Sequence, residues 1–452
     1  MSTAHFKHWQ GRLALLVLAS LLGILAIPAA AQVLYGTIVG TVEDATGAVV
    51  PNAKVTITEK ATGFTRDTTT DVAGNYAIPS VPIGTYSVKI SANGFKGLTR
   101  DGVVLTVNTT ARVNGKLEVG AVSEQVTVEA SAVQLQTDKS DTKTEITSKV
   151  VQELPLNSYR NYQALINLVP GATPAALQNS STDTPGRALR SFVNGTATNN
   201  NVTRLDGAIN INLWLPHHVA YVAPAETVEN VNISTSSFDA EQGMAGGAAM
   251  TVASVSGTNQ LHGAAWEYHE NEGLKSRSYF QAAGVPNAPY KLNIFGGKMG
   301  GAFIKNKLFW FAHTEITRQG LGGQSYFTVP DAAMRAGDFS ARVGTNGQGT
   351  IYDPATGNPD GTGRQPFAGN RIPAARFSPQ ALKALALVPD PNNSGGAFTA
   401  NATNGTISNN YFSSATGQLN RNNYDGKLNW NRTEKHTMFF KYSMLTALSG
   451  GV

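Results

Sequence analysis

Few side chains in this sequence are spaced for chemistry on a bound molecule. A zinc hydrolase needs His and Glu ligands close together plus a further His. Here His217-His218 runs into Val-Ala-Tyr, His313 is followed at the third position by Ile316, and no HExxH occurs. Gly-Lys pairs stand at 115–116, 297–298 and 426–427, but the earlier glycine of a phosphate loop is replaced by Thr110, Leu292 and Arg421. "DPNNSG" at Asp390–Gly395 offers calcium-type oxygens at Asp390, Asn392 and Ser394, yet the twelfth position is Asn401 rather than Glu. No Ser-His-Asp arrangement is suggested by spacing. The expectation is a chain with no catalytic residue, no metal and no cofactor.

What the spacing does offer is backbone chemistry. "EQVTVEA" (Glu124, Gln125, Val126, Thr127, Val128, Glu129, Ala130) is a β-prone island in the polar stretch Ala121–Thr147. Such an island can add as a strand to another protein's sheet, with main-chain hydrogen bonds giving affinity and alternate side chains such as Val126 and Val128 giving specificity. It reads equally well as the last strand of the preceding domain, and both readings stay open here.

The elements around it are β-rich. Of 452 residues 41% are hydrophobic and only 14% charged, enough to bury a large core. Gly 46 and Pro 20 point to many turns between short strands. His5, Lys7, His8 and Arg12 precede an apolar run, Leu13 to Ile27, and Pro28-Ala29-Ala30-Ala31. That is the order of a secretory signal peptide cleaved between Ala31 and Gln32, the run being short for a membrane span. Its removal takes Lys7 and Arg12, so the formal charge of +5 falls by two to +3. The remaining basic residues are scattered, which excludes a nucleic-acid footprint. With Cys 0 there is no disulfide framework, and stability must come from burial and strand pairing.

Within residues 32–120, Val55 and Ile57 alternate with Lys54, Thr56 and Thr58, and Tyr86, Val88 and Ile90 repeat the pattern. Turn signals at Thr46-Gly47, Thr62-Gly63, Ala73-Gly74-Asn75 and Asn93-Gly94 imply six or seven strands in a sandwich. The succession Gly40, Pro51-Asn52-Ala53, Asp71-x-x-Gly74-x-Tyr76 and Pro82-x-Gly84-x-Tyr86 resembles the carboxypeptidase regulatory-like domain. That resemblance implies a transthyretin-type sandwich of the carbohydrate-binding-like fold group, usually an accessory domain.

Residues 121–144 read as a linker. From 145 to 256, Val150, Val151, Leu154, Leu156, Tyr162, Leu165 and Leu168 step like two short helices broken by Pro155 and ended by Pro170-Gly171. Asn194-Gly195, Leu205-Asp206-Gly207, Glu226-x-x-Glu229-x-Val231, the glycines from 243 to 247 and Ser256-Gly257-Thr258-Asn259 resemble the plug of TonB-dependent receptors. Asp239 and Glu241 in this stretch read as solvated or wall-contacting carboxylates.

From residue 257 the alternation lengthens. Ala264, Trp266 and Tyr268 oppose Ala265, Glu267 and His269; Leu308, Trp310, Ala312 and Thr314 oppose Phe309, Phe311, His313 and Glu315. Leu428 and Trp430 oppose Lys427, Asn429 and Asn431, and Met438, Phe440 and Tyr442 oppose Thr437, Phe439, Lys441 and Ser443. One greasy face and one mixed face over about ten residues is the transmembrane β-barrel pattern. Short turns at 257–260, 305–307 and 432–435 alternate with long connections at 271–290 and 317–421. Lys305-Asn306-Lys307 reads as a periplasmic turn, Phe309-Trp310-Phe311 as an aromatic girdle above it, and the glycines of 296–301 as wall passing close to the plug.

The long connection, through Gly337-Asp338-Phe339-Ser340, Tyr352-Asp353-Pro354, Asn370-Arg371-Ile372-Pro373 and Pro389-x-Pro391-Asn392, is similar to that of the Oar-like subgroup of TonB-dependent receptors. With the other motifs the resemblance covers nearly all of residues 33–444. It implies a mainly β chain: a sandwich, an α+β plug, then the first strands of a barrel in 257–452. It also implies an exported outer-membrane receptor of a Gram-negative-type bacterium, in contact with outer-membrane lipid and with the TonB energising complex through 124–130. Its extracellular ligand is left open between carbohydrate and peptide. Plugged transporters close with about 22 strands. About five are readable here, so the sequence reads as the N-terminal portion of a longer receptor. The competing reading is an exported surface or adhesion module without transport.

Overall fold

The computed structural model describes residues 35–120, 125–129, 138–154, 156–177, 188–212, 214, 218–243, 245–276, 279, 287–395 and 398–450. Ala31 and Gln32, Glu124 and Ala130 lie outside them, as do the side chains of Gln125 and Glu129. The chain is mainly β and separates into two compact units. One contains the chain up to Trp266 with Gly296–Glu315 and Asn422–Thr446; the other contains Glu267–Phe295, Ile316–Arg421 and the C-terminal residues.

Nine strands open the described chain: β1 (Gly36–Asp44), β2 (Lys54–Glu59), β3 (Thr65–Thr69), β4 (Asn75–Val81), β5 (Gly84–Ser91), β6 (Gly97–Leu105), β7 (Thr110–Arg112), β8 (Gly115–Leu117) and β9 (Gln125–Glu129). They form two sheets, one with order β4-β1-β7 and β8 also on β1, the other β3-β2-β5-β6-β9. The period-2 pattern decides the faces: Val55, Ile57, Tyr86, Val88 and Ile90 are all fully buried in one apolar cluster, while Lys54 stays exposed. Each such side chain contributes about 1.5–3 kcal/mol by leaving water. Two tyrosines in that core keep their hydroxyls bonded: Tyr76 donates to the Val113 carbonyl at 2.6 Å and Tyr86 to the Pro82 carbonyl at 2.6 Å. Gly40 is required beside Tyr76, because a Cβ there would meet the Val113 carbonyl oxygen at 2.0 Å.

A third sheet, order β10-β15-β16-β13-β14, uses β10 (Thr142–Thr147), β13 (Val202–Leu205), β14 (Ala208–Ile209), β15 (Val228–Ser236) and β16 (Ala249–Ser254). A small pair, β11 (Ala176–Leu177) and β12 (Leu189–Arg190), lies between them in sequence. The helical stretch is three short pieces, Ser148–Glu153, Asn157–Arg160 and the 3-10 turn Tyr162–Leu168. With the sheet they bury their own cluster, including Ile146, Tyr162, Leu165, Val231, Ile233 and Val252. β10 begins inside the stretch that the sequence assigns to a linker. An edge strand needs few apolar residues, and here Ile146 alone is buried while β-favouring threonines supply the rest.

The last large sheet has order β17-β18-β19-β22-β23: β17 (His262–Asn271), β18 (Tyr290–Ile304), β19 (Leu308–Phe327), β22 (Tyr411–Thr433) and β23 (His436–Gly450). Five strands match the count from the sequence, and the sheet is not closed. β19 and β22 have 20 and 23 residues, so the long connection shrinks to 328–410. The polar ends of both strands lack the apolar alternation that lipid demands, which is why they read as loop. Within 328–410 lie β20 (Thr399–Asn401), β21 (Thr406–Ser408) and two short helices. Asp331 caps Ala332–Arg335, and Ser378 caps Pro379–Leu385 with Pro at the first turn. Arg342–Asp331 and the Arg376–Asp353 pair at 2.6 Å tie this segment together.

Candidate functional site

Neither apolar cluster includes a residue of the long-stranded sheet. The 142–254 sheet meets that sheet through charge instead, and the turns of its own backbone aim the charges. Asp206-Gly207 joins β13 to β14 as a two-residue turn with both φ positive, at 48° and 84°. This is the conformation for which Asp-Gly is favoured. It places Asp206 where its carboxylate accepts from Ser254 N at 2.9 Å and Ser254 Oγ at 2.6 Å. Lys427 Nζ and Lys441 Nζ complete the shell at 3.3 and 3.0 Å. The Asp206 side chain is only 4% exposed. Burial by itself would raise the Asp206 pKa, but the two lysine charges and the Ser254 bonds outweigh it and hold the carboxyl well below the usual carboxylate range.

A second acid repeats the arrangement. Glu226 accepts from Arg160 of its own domain at 3.1 Å and from Lys298 of β18 at 3.1 Å; Lys298 also donates to the Glu226 carbonyl at 2.9 Å. At a third point the sign is reversed. Asp425 of β22 takes the Tyr221 hydroxyl at 2.8 Å, the Ser443 hydroxyl at 2.6 Å and His313 Nδ1 at 3.1 Å. Burial, then the Asp425 charge, push the Tyr221 hydroxyl pKa up, so it stays a donor. His313 stacks on Trp266 with ring centroids 5.6 Å apart. His313 Nε2, Asn423 Oδ1 and Asn429 Oδ1 are buried on this face without a protein hydrogen-bond partner.

The long-stranded sheet alternates as read from sequence. Phe309, Phe311, His313, Glu315, Asn423, Asp425 and Lys427 are buried on one face, while Phe303, Leu428, Trp430, Met438, Phe440 and Tyr442 are exposed on the other. Three local readings need correction. Phe309 and Phe311 face inward, so the aromatic pair away from that face is half-buried Trp310 stacked on exposed Phe303 at 5.9 Å. Trp266 shares the inner face with His313 rather than facing lipid. The glycines of 296–301 pass close to other strands of their own sheet: a Cβ on Gly296 would meet the Thr314 carbonyl oxygen at 2.2 Å and Trp266 at 2.8 Å.

Residues 125–129 of the sequence island lie in the first domain. β9 runs parallel to β6, from Gly97↔Gln125 to Asp101↔Glu129, as the outermost strand of its sheet. Val128 packs on the sandwich core and Val126 is 39% exposed. Asp239 is paired with Lys139 at 2.7 Å; the side chain of Glu241 lies outside the described residues. Asp206 and Glu226 stand in motifs that the sequence singles out, but their lysines were not foreseen. Alternation put Lys427 and Lys441 on the mixed face, the one signal that was available.

A sheet with an apolar exposed face and a polar face carrying charge to a neighbouring domain has the pattern of an outer-membrane β-barrel wall. Residues 253–449 match the family described as outer membrane beta barrel domain, and residues 37–118 the carboxypeptidase regulatory-like domain. Residues 253–449 thus form an outer-membrane β-barrel domain, which puts the protein in the outer membrane of a Gram-negative-type cell, and the chain is a homologue of the TonB-dependent transporter Oar of Myxococcus xanthus. The two are 28% identical over 305 residues, 63% of this chain and 27% of that protein. Among solved structures it is similar to the siderophore receptor PirA of Acinetobacter baumannii (14% identity, 69% of this chain and 32% of that one, TM-score 0.35). It is also similar to the outer membrane transporter YddB of Escherichia coli (11% identity, 67% and 32%, TM-score 0.38). The chain therefore spans 27% of the curated relative and 32% of these two receptors. These relatives are transporters and receptors, not enzymes.

Proposed function

We propose that this chain contributes the plug and the first wall strands of an energised outer-membrane transporter. In this reading residues 32–120 form the accessory sandwich, 121–144 the linker, 145–256 the plug and 257 onward the wall. The substrate is taken from outside, and a periplasmic energising protein of the TonB kind pulls on residues 124–130 to displace the plug. The observation that carries the reading is the seam: a domain with its own apolar core is held to the wall by Asp206 with Lys427 and Lys441, and by Glu226 with Lys298. Buried ion pairs fix position strongly but add little net stability over apolar packing. They suit a joint that must hold one register and still open. A merely structural domain would be expected to share its apolar core with the wall.

The test uses a single reporter, Ala253→Cys, at a fully buried position on β16 in a chain that has Cys 0. Maleimide labelling at 253 should be faster in energised cells than in uncoupled cells. The increment should vanish when Val126→Pro and Val128→Pro remove two backbone donors from the pulled segment. Equal labelling with and without energy would refute displacement and leave an exported binding module as the better account.

A further inference from the structure

We infer that the carboxypeptidase regulatory-like domain is a latch that ties the plug to the periplasmic-side turns of the wall, so that it must undock before the plug can move. The inference rests on the transport reading above and adds a part to it. On one side the domain grips wall turns. Arg66 donates to the Glu434 carbonyl from Nε at 3.1 Å and Nη2 at 2.9 Å, while its Nη1 holds the Pro79 carbonyl at 2.7 Å. Asn259 N donates to the Ala61 carbonyl at 3.0 Å, and Asn259 is itself bonded to Asn306 of the β18–β19 turn.

On the other side the domain grips the plug and the segment leading into it. Arg112 is paired with Asp138, and Lys139 bonds Asn108 Oδ1 at 3.0 Å and Asp239 Oδ2 at 2.7 Å. Asn232 of β15 donates to the Val107 carbonyl at 3.0 Å. One folded body thus holds both parts that have to separate.

Both joints are polar and incompletely packed, as a reversible contact should be. A cavity of about 110 Å³ lies at the wall side between Tyr35, Phe64, Phe309 and Phe439, with Glu59 and Lys427. A more polar one of about 240 Å³ lies at the plug side beside Thr37, Ser80, Asn108, Lys139 and Asp239. β9, the outer strand of the same domain, ends at Glu129, and the Asp138–Lys139 clamp comes next among the described residues, before the domain that begins at 142. A pull on β9 therefore loads the latch before it loads the plug.

The geometry supplies its own test. A Cβ built on Gly63 lies 3.6 Å from the Cβ of Asn306, within the roughly 3.5–4.5 Å span of a disulfide. Gly63→Cys with Asn306→Cys, in the whole protein in the outer membrane of its own cell and carrying Ala253→Cys, should cross-link on oxidation. Labelling at 253, read by mass spectrometry, should then lose its energised increment and regain it on reduction. Failure to cross-link overturns the docking, and a cross-linked chain that still labels faster when energised overturns the latch. Because position 63 has φ of 69°, a variant that keeps the glycine is run in parallel. Arg66→Ala and Arg112→Ala, each in the Ala253→Cys chain, should raise labelling in uncoupled cells. Unchanged labelling in both also overturns the latch. Absence of an energised increment in the reduced or unsubstituted chain would count against the transport reading alone, and the uncoupled-cell arm would still decide the latch.

Discussion

Removing the Asp206 carboxylate isolates what the seam contributes. Lys427 and Lys441 stand 3.3 and 3.0 Å from it, so at an effective dielectric of about 20 each attraction is about 5 kcal/mol. Most of that is offset by the desolvation of three charges. The measurable quantity is the cost of leaving two buried ammonium groups without their counter-charge, about 3–5 kcal/mol. Asp206→Ala should therefore weaken plug retention by that amount without unfolding the plug, whose apolar core includes neither lysine. The triple change Asp206→Leu, Lys427→Met and Lys441→Met should return stability to near the unsubstituted value or above it, since well-packed apolar replacements of buried ion pairs are often neutral or stabilising. Hydrogen exchange of the β16 amides, read against urea concentration in detergent, reports local opening separately from global unfolding. An Asp206→Ala chain that exchanges like the unsubstituted chain would refute the reasoning. So would a triple variant that opens as readily as Asp206→Ala, because the loss would then come from the Ser254 hydrogen bonds and not from the stranded lysines.

The Asp206 contribution to the seam should be insensitive to pH between about 5 and 7 and fade in acid. The Asp206 pKa is depressed on folding, so its contribution is fully present above the unfolded Asp value of about 3.9. It is lost as pH falls through the folded value, and β16 exchange between pH 3 and 6 checks this. Glu226→Ala should strand Arg160 and Lys298 and cost about 3–5 kcal/mol of plug retention, with protease access to 145–256 as the readout. Gly207→Ala should cost about 1–2 kcal/mol, because φ is 84° there. It should also lower plug retention by shifting Asp206, whereas Gly207→Asn, which tolerates that conformation, should restore most of it. Ile57→Ala should destabilise the sandwich by about 2–5 kcal/mol, read in thermal melts.

Local physics was legible wherever a short period decides it. Val55, Ile57, Tyr86 and Val88 announced their buried face by alternation, and Asp206-Gly207 carried its turn in two letters. The seam was not legible, because Asp206 and Lys427 are far apart in the chain and alternation gives the face of a lysine but not its partner. Trp266 shows the same limit: its strand has mixed residues on both faces, so composition could not say which face turns inward. The ends of β19 and β22 read as loop in the sequence because β-strands there are set by pairing with neighbours rather than by an apolar side.

The seam divides charge unevenly between its two sides. Asp206 and Glu226 stand on the domain proposed as the plug, while Lys298, Lys427 and Lys441 stand on the long-stranded sheet. Separation would therefore strip Asp206 and the three lysines of their counter-ions, while Glu226 keeps Arg160, and the attraction would fade once the gap exceeds a screening length of about 8 Å at physiological salt. Within that distance the fixed spacing of the lysines accepts the acids in one alignment only. On the proposed displacement, resealing in register would follow from where the charges are left.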